Sequence, residues 1–155
     1  MSVTISRATI VDLPNIQFLN NKLFDLEISE FDNNSLIPDW SMSKYGKNYF
    51  SDMIKNHFVL IATDDIHTIG YLAGKIGITE TYTKGTLAEI DNMFIDSNYR
   101  GRGVGKKLID VFKAECVLRG VSSIRVGTVA KNRNAIAFYE KQGFEVHNIT
   151  LNHNL

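Results

Sequence analysis

A chain of 155 residues has the length of one domain, and at that size about 70% of the unfolded surface is hidden, so stability requires neither metal nor disulfide. Apolar residues make up 44% and charged residues 22%, the balance of an ordinary globular protein. Seventeen Lys and Arg offset seventeen Asp and Glu, which excludes the overall basic excess of a general nucleic-acid binder.

The single cysteine, Cys116, cannot form an internal disulfide and favours a reducing compartment. Met1–Arg7 lacks the apolar core of a secretion signal, and no apolar run approaches the roughly 20 residues of a membrane span. The expectation is a cytoplasmic protein with neither membrane nor nucleic acid as partner. No repeat, low-complexity tract or linker divides the chain, so residues 1–155 are read as one domain.

Val3 to Arg7 alternates apolar and polar side chains, as a strand does. Asp12 and Pro14 resemble a helix cap and first turn, and Leu13, Ile16, Leu19, Leu23 and Leu26 follow at helical spacing. A polar loop is expected to about Pro38, then a shorter helix from Lys44 to Asn56. His57 to Ala62 and Ile69 to Ile78 read as strands joined by a turn at Asp64-Asp65, and a third strand spans Leu87 to Ile95.

Beyond a glycine-rich stretch, a helix carries Val104, Leu108, Val111, Phe112, Glu115 and Leu118, and Gly120 ends it. Ile124 to Val129 is expected as a strand, Ala135 to Gln142 as a short helix, and Phe144 to Leu151 as a last strand. That order predicts an α/β fold built on a mixed sheet with helices on both faces.

Arg100-Gly101-Arg102-Gly103-Val104-Gly105-Lys106-Lys107 lies between a strand and a helix, where an anion belongs. Glycine weakens a helix by about 1 kcal/mol, and cations near its N-terminus are unfavourable by a few tenths of a kcal/mol or more. A bound polyanion offsets both penalties; the alternative is a surface turn with solvated charges. Neither familiar nucleotide motif fits. A P-loop needs Gly where Arg100 stands and Ser or Thr where Lys107 stands, and the dinucleotide fingerprint needs a third Gly at Lys106.

Arg100-x-x-Gly103-x-Gly105 resembles the R/Q-x-x-G-x-G/A coenzyme A signature of the GNAT superfamily of N-acetyltransferases. Met93-Phe94-Ile95-Asp96 is similar to the strand end that leads into that loop. Asn132-x-x-Ala135-Ile136-x-Phe138-Tyr139-Glu140-Lys141-x-Gly143-Phe144 resembles the second signature. The likeness is carried by Leu87 to Leu151; before Ile78 it rests on the order of elements.

The resemblance implies a mostly antiparallel sheet of about six to seven strands, parted between the fourth and fifth, and acetyl-coenzyme A as acyl donor. It implies that the backbone of Met93, Phe94 and Ile95 pairs with the pantetheine arm. It assigns the pyrophosphate to the turn at Gly101 and the N–H groups of Arg102, Gly103, Val104, Gly105 and Lys106, with charge from Arg100 and Arg102. Asn132 matches a residue near the cofactor, although it also stands where a helix cap belongs. Tyr139 matches the tyrosine that faces the cofactor sulfur and protonates the leaving thiolate.

An alkyl amine is only about one part in 2,500 neutral at pH 7, so a proton acceptor is expected. Glu89 and Asp91 lie two apart on one strand and share a face, which leaves Glu89, Asp91 or an ordered water as the base. Asp25, Glu27, Glu30, Asp32 and Asp39 form an acidic stretch without Lys, Arg or His, and an acidic wall attracts a cationic acceptor. Phe31, Trp40, Tyr45 and Tyr82 are candidates to line it. His57, His67, His147 and His153 show no metal-ligand spacing, so no metal is expected.

Together these readings predict an N-acetyltransferase acting on a primary amine of a small molecule or peptide. The alternative is a non-catalytic acyl-coenzyme A binding or sensing module on the same fold. By family habit the last strand pairs across a homodimer.

Overall fold

The computed structural model describes residues 2–31 and 33–155. Among them, Thr4–Arg7 (β1), Phe58–Thr63 (β2), Thr68–Ile78 (β3), Leu87–Ile95 (β4) and Ser123–Val126 (β5) form one sheet in chain order. Neighbours from β1 to β4 run antiparallel, and β4 with β5 runs parallel. Leu13–Phe31 (α1) and Lys44–Asn56 (α2) cover one face; Val104–Leu118 (α3) and the shorter Arg133–Lys141 (α4) lie on the other side of the chain's core. The mixed, mostly antiparallel sheet with helices on both faces is as expected.

Strand alternation sorts β2 into two cores. Val59 and Ile61 pack with Ile16, Leu19, Phe50, Met53 and Tyr71 under α1 and α2. Phe58, Leu60 and Ala62 pack with Leu72, Ala88, Ile90 and Phe112 under α3. Each large apolar side chain so buried contributes about 1.5–3 kcal/mol.

The start of α1 differs in detail from the expectation. Thr9 is the cap of a short 3-10 turn over Ile10–Asp12, and Asp12 answers it by accepting from the Thr9 N–H at 2.8 Å. The stripe Leu13, Ile16, Leu19 faces the sheet, with Leu23 and Leu26 packed at its edge. The helix continues to Phe31, so Asp25, Glu27 and Glu30 sit on it and not in a loop.

Three further expectations need correction. The inner face of α3 is Val104, Leu108, Ile109, Phe112 and Cys116, while Val111 is 39% and Leu118 82% exposed. The strand expected over 124–129 stops at Val126. The one expected over Phe144–Leu151 is not formed, leaving five strands where six to seven were predicted. Its apolar residues Val146, Ile149 and Leu151 are exposed, so no core face holds this segment in a strand.

The sheet parts where expected. β5 pairs with β4 only from Leu87 to Ile90, so Asp91–Ile95 has no strand on that side. On its other side, β4 breaks register with β3: Asn92 faces Ala73, Ile90 faces Gly74, and Asp91 is the extra residue of a bulge.

A buried polar chain ties the turn Trp40–Met42 to α1. Gln17 Nε2 donates to the Ser41 carbonyl at 2.9 Å, Ser41 Oγ donates to Asn20 Oδ1, and Asn20 Nδ2 donates to the Tyr71 hydroxyl at 2.8 Å. Gly46 of α2 lets this turn approach: a Cβ there would lie 2.3 Å from the Ser41 carbonyl oxygen. Gly46→Ala should therefore destabilise the protein by about 1–3 kcal/mol, although alanine is the better helix former. Urea denaturation checks this as a lower midpoint at unchanged slope.

Candidate active site

Behind the bulge, α1, α2 and β4 enclose a cavity of about 210 Å3. Leu23, Phe24, Trp40, Tyr49 and Phe50 supply its apolar walls, and Asn20, Glu27, Asp91 and Asn92 its polar ones. Phe24 stacks on Trp40 at 5.7 Å, and Trp40 tilts against Tyr49 at the same distance. The polar chain from Gln17 to Tyr71 holds the Trp40 turn in place.

Asp91 is the centre of the polar side. The Tyr49 hydroxyl donates to its Oδ2 at 2.8 Å, and Lys75 Nζ stands 3.5 Å from the same atom. Asn92 Nδ2 donates to the Tyr49 hydroxyl at 3.1 Å. Burial, and then the Asp91 charge, push the Tyr49 hydroxyl well above the usual phenol range, so it stays a donor. Asp91 Oδ1 and Asn92 Oδ1 are buried without a hydrogen-bond partner. The two residues line the cavity, but these two oxygens expose almost no surface to it.

Glu27 is held above the usual carboxylate range by burial, opposed by a hydrogen bond from Asn33 Nδ2 at 3.2 Å.

Glu89 lies on the same face as Asp91, because Ala88 and Ile90 point into the opposite core. It does not line the cavity. Arg125 Nε donates to Glu89 Oε2, and Arg125 Nη1 donates to Glu80 at 2.9 Å, so a guanidinium already balances this carboxylate. Of the aromatic candidates, Trp40 lines the cavity; Tyr45 and Tyr82 are exposed, and Phe31 stands outside it. Of the acidic stretch, Glu27 alone among the described residues lines it; Asp25, Glu30 and Asp39 are exposed, and Asp32 lies outside the described residues. Tyr49, Asn92 and Phe24 were not singled out from sequence. The adjacent polar pair Asp91-Asn92 inside an otherwise alternating strand was the available signal.

On the far edge of β4, the unpaired stretch leads into the glycine turn. Phe94 is buried, and Met93 and Ile95 pack on the α3 side. Arg100 folds back: its Nε donates to the Ile95 carbonyl at 2.9 Å and its guanidinium lies 5.0 Å from the Phe94 ring centre. It therefore braces the strand end. Arg102 sits 5.7 Å from the Tyr99 ring centre, and Lys106 pairs with Asp110 one turn along α3.

Gly101 and Gly103 have φ of 72° and 78°, and Gly103 caps α3. A Cβ on either would meet nothing within 4 Å, so the turn is an open cradle. The N–H groups of Val104, Gly105 and Lys106 precede the first helical bond, Lys107 N–H to the Gly103 carbonyl at 3.1 Å. An open cradle, a helix start, nearby cations and an unpaired strand edge together fit a phosphate-bearing cofactor with an amide-containing arm, which is the chemistry of coenzyme A.

Asn132 caps α4, its Oδ1 accepting from the Ala135 N–H at 3.0 Å. Tyr139 stands edge-on to Phe138 and Phe144, at 5.2 and 5.5 Å. Burial pushes its hydroxyl up to about 12. Cys116 is buried in the α3 core, where burial raises its thiol to about 11. Among the described residues, no three His, Cys, Asp or Glu gather as a metal set, and no helix is long and apolar enough to cross a membrane.

An anion cradle and an organic-molecule cavity flanking one strand form a layout for bringing two substrates together. The chain belongs to the acetyltransferase (GNAT) family, whose model matches residues 21–144. A streptothricin acetyltransferase of Escherichia coli is 30% identical over 139 residues, 86% of this chain and 74% of that protein. Curated relatives are spanned unevenly, other matches reaching 34% and 40% of their length. A Bacillus halodurans structure superposes with a TM-score of 0.84 at 18% identity, over 98% of this chain and 99% of that one. An aminoglycoside acetyltransferase from an uncultured soil metagenomic sample, in complex with sisomicin, gives 0.71 at 22% identity, over 99% and 96%.

Gly103→Ala tests the cradle. A left-handed alanine costs about 1 kcal/mol or more and places a methyl group in the open turn. Coenzyme A affinity by calorimetric titration should fall about tenfold, with little change in the far-ultraviolet spectrum.

Proposed function

We propose that the protein is an acetyl-coenzyme A-dependent N-acetyltransferase whose acceptor is a small cationic primary amine. The observation that carries this reading is the Asp91 carboxylate, built into an aromatic cavity directly behind the parted strand. When bound, acetyl-coenzyme A supplies the acetyl group as an activated thioester. Every other requirement falls to the chain.

The acceptor arrives protonated, and releasing its proton at pH 7 costs about 4.6 kcal/mol. Asp91 and Asn92 form the polar side of the ammonium's pocket, while Trp40, Phe24 and Tyr49 surround it with aromatic rings. Tyr49 holds Asp91 through Oδ2, and the Asp91 carboxylate accepts the amine proton during attack. Glu89, which is bound by Arg125 and does not line the cavity, is the weaker choice for that role. Backbone donors along Met93–Ile95 hold the pantetheine arm and polarise the thioester carbonyl. The N–H groups from Arg102 to Lys106 hold the pyrophosphate.

Tyr139 acts as a hydrogen-bond donor to the departing sulfur. Burial raises its hydroxyl, so it carries its proton at neutral pH. The hydroxyl therefore keeps its proton and stabilises the developing charge. Relatives named for streptothricin and for aminoglycosides favour small-molecule acceptors over peptides.

Thiol release from acetyl-coenzyme A, followed over polyamines, amino sugars, amino acids and peptides, tests the reading. Asp91→Asn should lower kcat/KM about 100-fold or more, and Tyr139→Phe should lower kcat about 100-fold, both with unchanged cofactor affinity. In the wild type, kcat/KM should be level around neutral pH, where the acceptor arrives protonated, and should fall as the free amine deprotonates near about 10.4. Tight cofactor binding without turnover on any amine would instead establish the acyl-coenzyme A sensing module.

A further inference from the structure

The short segment that joins β4 to the glycine turn is fastened to other elements at both ends. At its start, the Asp96 N–H donates to the Ile69 carbonyl of β3 at 2.9 Å, and Lys22 Nζ of α1 donates to Asp96 Oδ2 at 2.6 Å. At its end, Tyr99 packs its ring against the α3 core and donates its hydroxyl to Asp64 Oδ2 at 2.8 Å. Asp64 belongs to the turn between β2 and β3, where its Oδ1 accepts from the N–H groups of Ile66 and His67 at 3.2 and 2.8 Å. The Tyr99 hydroxyl, and after it the His67 N–H, hold the Asp64 carboxyl below the usual carboxylate range. Neither Tyr99 nor Asp64 lines the acceptor cavity.

We propose that Tyr99 is a positioning residue for coenzyme A, its ring tied to Asp64 and holding the Arg102 guanidinium in place for the cofactor's phosphates. The inference rests on the coenzyme A reading of the glycine turn and adds how the turn's cation is placed.

The backbone of the turn does little of that placing. Arg102 stands between Gly101 and Gly103, both with positive φ and both with nothing within 4 Å of a Cβ position. A long side chain in so open a turn keeps its rotamer freedom unless a neighbour restricts it. The Tyr99 ring is such a neighbour: the guanidinium lies 5.7 Å from its centre, within cation–π reach. Arg100 does not stand in for it, because its guanidinium is turned back on the Ile95 carbonyl and the Phe94 ring. Removing the Tyr99 hydroxyl unties the ring from Asp64, and Arg102 must then be ordered at the moment the phosphates bind, which weakens binding.

The test is calorimetric titration of coenzyme A into the wild type, Tyr99→Phe, Asp64→Ala, Arg102→Gln and the double variant Y99F/R102Q. Arg102→Gln should weaken binding about tenfold, and Tyr99→Phe and Asp64→Ala about threefold each. Charge alone predicts the opposite for Asp64→Ala, since removing an acid near the turn favours an anion. The double variant should bind no more weakly than Arg102→Gln, because the ring acts through that arginine. Full affinity in Tyr99→Phe, tighter binding in Asp64→Ala, or a double variant in which the two losses multiply overturns the positioning role and leaves the coenzyme A reading standing. A wild type that does not bind coenzyme A removes that reading, and the positioning role falls with it.

Discussion

Asp91 is one residue more than its ladder can hold, and the polar wall of the cavity behind β4 follows from that. In a regular strand, residues 91 and 92 would face opposite sides of the sheet. The bulge against Ala73 and Gly74 turns both toward α1 and α2, where they become the polar wall of the cavity. Because β5 ends at Val126, the same stretch of β4 also has an open edge. One strand segment therefore presents side chains to the cavity and, along its other edge, an unpaired backbone.

The surrounding elements divide the work. The core under α1 and α2 continues into the cavity through Phe50 and the partly buried Leu23, Trp40 and Tyr49, whereas the core under α3 supports the glycine turn through Val104. The sheet separates the two sets of contacts. A substitution that reshapes the aromatic walls thus need not disturb the glycine turn or the helix start that follows it.

Much of this arrangement was legible in the residues, and the parts that were not share a cause. The limits of β4 and α2 could be read closely, because their patterns are local and strongly periodic. The glycine turn announced itself by breaking helix rules. By contrast, the bulge depends on how β4 meets β3, and the pairing of Glu89 with Arg125 depends on the register of β4 against a strand 36 residues away. Tyr49 reaches Asp91 from another element, across 42 positions of sequence. The strand expected over Phe144–Leu151 had apolar residues but no neighbour to pair with. Periodicity reports what a segment can do and is silent on whether a partner stands beside it.

The burial of Cys116 has a practical side. It is the chain's single thiol, and it sits in the α3 core with only 2% of its surface exposed. Burial raises its thiol, so the reactive thiolate is disfavoured at pH 8. Disulfide-exchange dyes react with thiolates, so a dye present throughout turnover reports coenzyme A and leaves the enzyme unlabelled. The native protein can be followed continuously in such an assay without first removing its own cysteine, and a slow rise in dye signal without substrate becomes a direct readout of unfolding.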